Sequence, residues 1–302
     1  MKDTIQFFSS IIVLIFVNSC KAQTTSLVAE NAKLVQIANE YSFTEGPASD
    51  QEGNVYFTDQ PNDKIIKWNS SNNSLSVFKE PSGRANGLYF DHNGRLLAAA
   101  DENNEIWRID ENGKVDTLIT NFENKKLNGP NDLWVDLKGG IYFTDPYYQR
   151  SYWDRTTAEL TNKNVYYILP NSNTVFIAAT NLVQPNGIIG TPDGKTLYVA
   201  DIGDQKTYAY TVTENGNLTD RKLFTTMGSD GMTIDNKGNI YLTGNGVTIF
   251  NSKGEKIHHI PINEEWTANV TFGGKNQDIL FITAKGSIYT LQMNVTGVRY
   301  TY

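Results

Sequence analysis

The sequence predicts an all-β protein, a six-bladed β-propeller with four antiparallel strands per blade and a ring closed by an N-terminal strand. A recurring phrase, its spacing and the composition carry this expectation. A polar residue, an apolar stretch, a turn rich in Asp and Gly, and a second apolar stretch occur six times. They span residues 45–53 with 55–59, 86–94 with 96–100, 131–139 with 141–145, 186–194 with 197–201, 230–238 with 240–243 and, more loosely, 269–274 with 279–283. The first residues of successive units lie 41, 45, 55, 44 and 39 apart, a period typical of propeller blades. With 16 Tyr, 14 Phe and 24 Gly against 4 Met, the composition favours strands and turns over helices. Among 302 residues 39% are apolar, enough to fill a core, and the net charge of −7 provides no basic stripe for nucleic acid. A helical bundle, a polytopic membrane protein and a nucleic-acid binder are thereby excluded.

The elements follow in chain order. Residues 1–19 read as a lipoprotein-type signal peptide, with Lys2 ahead of the apolar run 11–17. Val17-Asn18-Ser19-Cys20 resembles a bacterial lipobox, so Cys20 is expected to carry the lipid anchor, residues 20–31 to form a tether and residues 32–302 the propeller. The protein is then exported and periplasmic, touching membrane only through that lipid. An ordinary signal cut after Ala22 is the alternative. Cys20 is the single cysteine, so the mature body has neither an internal disulfide nor a cysteine nucleophile.

Each unit then reads strand, turn, strand, turn, strand, turn, strand. In the first turn Gly supplies positive φ and Asp bonds the backbone. Third strands are expected at 65–68, 106–109, 165–168, 207–210, 247–250 and 288–291, and fourth strands at 75–78, 115–118, 174–177, 222–224 and 257–260. The sixth unit has little chain left, whereas residues 34–37 precede the first unit unclaimed. They are expected to supply the missing outer strand, because an open edge is a liability. The longest insertion, 145–164, carries Tyr147, Tyr148, Tyr152 and Trp153. It leaves the second strand of unit three, at an end expected on the far rim, and reads equally as a lid or as a plain surface loop.

Position one of every unit is polar: Glu45, Asn86, Asn131, Asn186, Asp230 and Asn269. In a propeller these residues open the innermost strands, so six side chains should converge on one mouth of the central channel. Asn and Asp also bond their own backbone at such places, a local explanation for any single one. It does not explain six oxygen donors with two acids among them. Two carboxylates balance one divalent cation, and amide oxygens complete the set that a hard cation prefers. His92, His258 and His259 open no inner strand, which argues against a His-rich zinc site and a Ser-His-Asp triad. An oxygen-bound metal with a carboxylate beside it remains.

Glu45-Gly-Pro, Leu127-Asn-Gly-Pro-Asn-Asp132, Tyr142-Phe-Thr-Asp-Pro146, Gln184-Pro-Asn-Gly187, Leu197-Tyr-Val-Ala-Asp201, Ser229-Asp-Gly-Met232 and Val270-Thr-Phe-Gly-Gly274 form an ordered set. Together they resemble the gluconolactonase/senescence marker protein (regucalcin)/luciferin-regenerating enzyme family, nearest its bacterial sugar-lactonase branch. The resemblance runs from about Glu45 to about Leu291. It implies one divalent cation, Ca2+ first, with Mg2+, Mn2+ or Zn2+ as substitutes in vitro. The metal ligands would be Glu45, Asn186 and Asp230, with Asp230 also the general acid/base. Asn131 and Asn128 would contact a small lactone substrate. Where the animal branch has a substrate-contacting Arg, this chain has Gly129, so recognition of the sugar must differ. Ser229 stands where Pro is common and is expected to loosen the loop placing Asp230. The leading reading is a metal-dependent hydrolase of sugar-acid lactones. The alternatives are a broader esterase or phosphotriesterase on the same site, and a non-catalytic ligand-binding propeller.

Overall fold

The structure, a computed structural model, describes residues 26–298. The expected signal segment and Cys20 lie outside the described residues.

Twenty-four strands form six four-stranded antiparallel sheets. Blade one is β2 (Thr44–Ser49), β3 (Val55–Asp59), β4 (Lys64–Asn69) and β5 (Ser74–Lys79). Blade two is β6 (Ala85–Phe90), β7 (Leu96–Ala100), β8 (Glu105–Ile109) and β9 (Val115–Ile119). Blade three is β10 (Leu133–Val135), β11 (Ile141–Asp145), β12 (Lys163–Ile168) and β13 (Val175–Leu182). Blade four is β14 (Pro185–Gly190), β15 (Thr196–Asp201), β16 (Lys206–Val212) and β17 (Leu218–Thr225). Blade five is β18 (Met232–Ile234), β19 (Ile240–Gly244), β20 (Gly246–Phe250) and β21 (Lys256–Ile260). Blade six is β22 (Thr267–Gly273), β23 (Ile279–Ala284) and β24 (Ser287–Gln292), completed by β1 (Val35–Ala38) against β24. The closing strand starts one residue later than the sequence suggests. Of the expected tether, residues 26–31 lie along blade six: the Ala29 amide donates to Gln292 O, and the Asn294 side chain donates to the Ser26 and Val28 carbonyls.

The inner strands β2, β6, β10, β14, β18 and β22 touch in a closed cycle around the channel. The second strands sit between neighbouring blades and are apolar on both faces; β3, β7, β11 and β19 are buried throughout. The turn expected between first and second strands is set by Asp50, Asp91, Asp136 and Asp235. In each, Oδ1 accepts the backbone N–H four residues on, at 2.8–2.9 Å.

Two devices fix the mouth. In four units a glycine follows position one, and a Cβ there would strike the next blade. It would stand 2.1 Å from Asn86 O at Gly46, 2.4 Å from Asn131 O at Gly87, 2.8 Å from Asp230 O at Gly187 and 1.9 Å from the Asn269 side chain at Gly231. Missing side chains let the inner strands close to main-chain contact, and the Gly87 amide donates to Asn131 O at 2.7 Å. The second device is the aspartate ending strand two. Asp59 accepts the Ser42 and Phe43 amides, Asp145 those of Asn128 and Gly129, and Asp201 those of Val183 and Gln184. Each pins the linker entering its own blade.

The 145–164 insertion corrects one expectation. An antiparallel hairpin returns the end of strand two beside the start of strand one, as in the pairing Leu133↔Phe143. The insertion therefore leaves at the mouth, not at the far rim. Ser229 is a second correction. Its hydroxyl is fully buried, donates to Gly231 O at 2.5 Å and accepts the Thr243 amide at 2.7 Å, so it ties the Asp230 loop down.

Gly87→Ala tests the ring contact. Its Cβ must displace main chain in blade three, so unfolding by denaturant should show a loss of about 1–3 kcal/mol. An unchanged midpoint would mean that the blades are free to move apart.

Candidate active site

Glu45, Asn86, Asn131, Asn186 and Asn269 are buried and Asp230 is half-buried, all at one end of the channel. They form two bonded groups. Asn269 Nδ2 donates to Glu45 Oε2 at 3.2 Å, and that oxygen also accepts the Gly46 amide at 2.8 Å. Asn186 Nδ2 donates to Asp230 Oδ1 at 2.8 Å and to the Tyr148 hydroxyl at 3.0 Å. The other Asp230 oxygen, Oδ2, accepts the Trp266 indole N–H at 2.6 Å.

The groups meet electrostatically. Burial, and next the Asp230 charge, push the Glu45 carboxyl well above the ordinary carboxylate range. Burial raises Asp230 to about 6 against the pull of the Trp266 and Asn186 donors. Asp132, one residue past position one of blade three, is raised to about 7 by burial although it accepts the Leu133 and Ile188 amides. Two buried acids, Glu45 and Asp132, and the half-buried Asp230 thus share this end of the channel.

A cation fits this donor set. The side-chain oxygens of Asn186 and Asn86 are buried without a hydrogen-bond partner, a costly state unless something positive faces them. Asn186 has turned its NH2 toward Asp230 and Tyr148, leaving Oδ1 for a ligand. Glu45, Asn186 Oδ1 and Asp230 supply hard oxygens with two charges to balance a divalent ion. Among the described residues no group of three or more His, Cys, Asp or Glu is placed to hold a metal, so the amide oxygens are essential to such a site.

The remaining expected site residues are placed differently. Asn131 is held at the mouth by its backbone, which donates to Thr144 O. Asn128 is fully buried and spends its NH2 on the carbonyls of Asp145 and Asn162; its Oδ1 is unpartnered. At Gly129 a Cβ would stand 2.9 Å from Asp101 Oδ1 and 3.0 Å from the Trp153 ring, so no long side chain fits there. Trp266 and Asp132 were missed by sequence reasoning. Trp266 ends a linker with no repeat register, and Asp132 was hidden inside the repeat phrase. A cavity of about 880 Å3 enters the channel from the opposite end, lined by Leu133, Ile188, Met232 and Val270, and reaches the site at Asp132 and Asn269.

Residues 43–286 match the family described as the SMP-30/Gluconolactonase/LRE-like region. The chain belongs to this family. It is 28% identical over 291 residues to a gluconolactonase of Zymomonas mobilis, covering 86% of this chain and 81% of that protein. The structure of a Xanthomonas campestris gluconolactonase superposes with a TM-score of 0.82 at 28% identity, covering 89% of this chain and 91% of the other. Regucalcin from Agrobacterium tumefaciens, described as a calcium-binding protein, shares the fold with a TM-score of 0.74 at 18% identity, over 87% and 94% of the two chains.

The buried acids predict a pH dependence of stability. A carboxyl raised on folding holds its proton where the unfolded chain has lost it. The folded state then binds more protons, and stability falls as pH rises. The window runs from the ordinary carboxylate range, about 4, to about 6 for Asp230 and about 7 for Asp132. With chelator present, the melting temperature should fall across this window; excess Ca2+ should flatten the fall by supplying the missing counter-charge. A melting temperature that rises with pH in chelator would contradict the assignment.

Proposed function

We propose that the protein hydrolyses sugar-acid lactones at the mouth of the propeller, with one divalent cation, Ca2+ first, held by Glu45, Asn186 and Asp230. The unpartnered Asn186 Oδ1 beside an acid, at this end of the channel in a gluconolactonase-family chain, carries the reading. When bound, the ion supplies Lewis-acid stabilisation of the negative charge that develops on the lactone carbonyl oxygen.

The chain's own residues do the rest. Asp230 is poised near neutrality by burial, so it can accept a proton from the attacking water and return it to the leaving ring oxygen. The acyl carbon gains the water oxygen and loses the ring oxygen, giving the open hydroxy acid. Trp266 and Asn186 fix the two Asp230 oxygens, holding the proton acceptor in one orientation. Burial raises the Tyr148 hydroxyl to about 12, so it stays a neutral donor and acceptor at the mouth. Asn131 offers its amide to a ring hydroxyl or to the carbonyl.

Glu45→Gln and Asp230→Asn separate the two roles of the acids. Each leaves one carboxylate facing a divalent ion and should weaken its binding. Saturating metal should restore much of the Glu45→Gln rate on gluconolactone. It should not restore Asp230→Asn, which lacks the proton acceptor and should stay roughly 10²–10⁴-fold slow. Full recovery of Asp230→Asn would make Asp230 a ligand only.

We also propose export with acylation at Cys20, supported by the apolar run 11–17 and the Val-Asn-Ser-Cys sequence that follows it. Cys20→Ser should shift the protein from the membrane fraction and remove the lipid mass. An unchanged mass and fractionation would exclude the anchor.

A further inference from the structure

Asp101 departs from the rule its neighbours obey. Asp59, Asp145 and Asp201 pair across from the residue before position one or end the same strand, and each pins its own linker by two amides. In blade two that register is filled by Ala100, which pairs with Ala85, and Asp101 follows one residue later. The linker of blade two is pinned instead by Asp63, which accepts the Ser82 and Arg84 amides at 2.9 and 2.7 Å. The carboxylate of Asp101 is thereby released from that duty, yet its side chain is only 3% exposed.

It has been turned to another segment. Asp101 Oδ2 accepts Arg150 Nε at 2.8 Å, the Tyr152 hydroxyl at 2.7 Å and Gln60 Nε2 at 3.2 Å. The Asp101 carbonyl accepts the Trp153 indole at 2.8 Å, and the Arg84 guanidinium stacks 4.5 Å above the Tyr152 ring. Three of the four residues 150–153 in the 146–162 segment, Arg150, Tyr152 and Trp153, therefore converge on one residue of blade two. Trp153 also fills the space left at Gly129. On its other flank the same segment rests on blade four, where Gln184 Nε2 donates to Tyr147 O and Asn186 Nδ2 donates to the Tyr148 hydroxyl. The segment thus spans blade three from blade two to blade four, across the mouth.

We propose that Asp101 is a positioning residue for substrate binding, a clamp that holds the 146–162 segment over the mouth so that Tyr148 stays against Asn186. The clamped segment forms an aromatic wall, suited to the C–H face of a polyhydroxylated lactone ring while the hydroxyls reach the asparagines. A charge-assisted bond from a partly buried guanidinium to a buried carboxylate is among the stronger single contacts available for such a task. Arg150 is 25% exposed at its side chain, so its head can rehydrate once the clamp is lost, and the segment can lift without unfolding a blade. The kinetic part of this inference rests on the lactonase reading; the mechanical part does not.

The test compares the full chain with Asp101→Asn and Tyr152→Phe. Trypsin reports the segment directly, because Arg150 and Arg155 lie within it. Native-state cleavage after these residues should accelerate on the order of 10- to 100-fold in Asp101→Asn, as one charge-assisted bond weakens, and less in Tyr152→Phe, which keeps the Arg150 pair. KM for gluconolactone should rise several-fold while kcat falls less, and Ca2+ affinity by calorimetry should stay at the parent value. Tyr152→Phe removes a single hydroxyl, so it keeps the test alive if Asp101→Asn fails to fold. Unchanged cleavage in both variants, or faster cleavage with an unchanged KM, overturns the clamp. If the parent itself hydrolyses no lactone, the lactonase reading fails, and the trypsin rates alone then decide whether Asp101 clamps the segment.

Discussion

The structure depends on how closely its inner strands approach one another at one end of the channel. Gly46, Gly87, Gly187 and Gly231 each face the next blade's position-one residue where no Cβ could stand. This contact turns six separate sheets into a ring narrow enough for side chains from blades one, four and five to act on one small region. Ring closure by β1 matters for the same reason, since blade six would otherwise lack its outer strand and leave β24 as an open edge.

That closeness has an electrostatic consequence. Glu45, Asp132 and Asp230 come from three blades, and burial raises each above its ordinary pKa, with the Asp230 charge adding to the rise at Glu45 and Asp132. Such a cluster is unfavourable in a folding sense and is retained where function uses it. The neutral donors around it, the amides of Asn186 and Asn269 and the indole of Trp266, orient the carboxylates without cancelling their charge. Oriented carboxyl oxygens beside unpartnered amide oxygens form a donor set that a hard cation would fit.

The propeller repeat also explains how blade three carries its long insertion. The same aspartate position serves as a linker pin in blades one, three and four, so the linker into each of these blades is fixed independently of the loop that follows the aspartate. Blade three exploits this with its long insertion after Asp145. Blade two, having moved the pin to Asp63, frees Asp101 to receive that insertion. Aspartates of the same repeat region thus serve the scaffold in blades one, three and four and hold the insertion in blade two.

The sequence by itself determined the architecture, the closing strand, the ring of position-one residues and most strand bounds to within a residue or two; the outer strands of blades three and four run four or five residues longer than the sequence suggests, to Leu182 and from Leu218. These rest on periodic, local signals: alternating apolar runs, Asp–Gly turns and a fixed repeat length. It also singled out the six position-one oxygen donors, while the choice of Glu45, Asn186 and Asp230 among them came from the family resemblance. Only the tertiary structure decided which atoms of these residues are left for a ligand, because Asn186 could have turned either end of its amide inward. Only the tertiary structure brought Trp266 to Asp230, 36 residues apart, and Arg150 to Asp101, 49 residues apart, since neither pair shares a strand or a repeat phase. The side to which the insertion folds was likewise decided by hairpin geometry and by non-local hydrogen bonds, which no periodic pattern records.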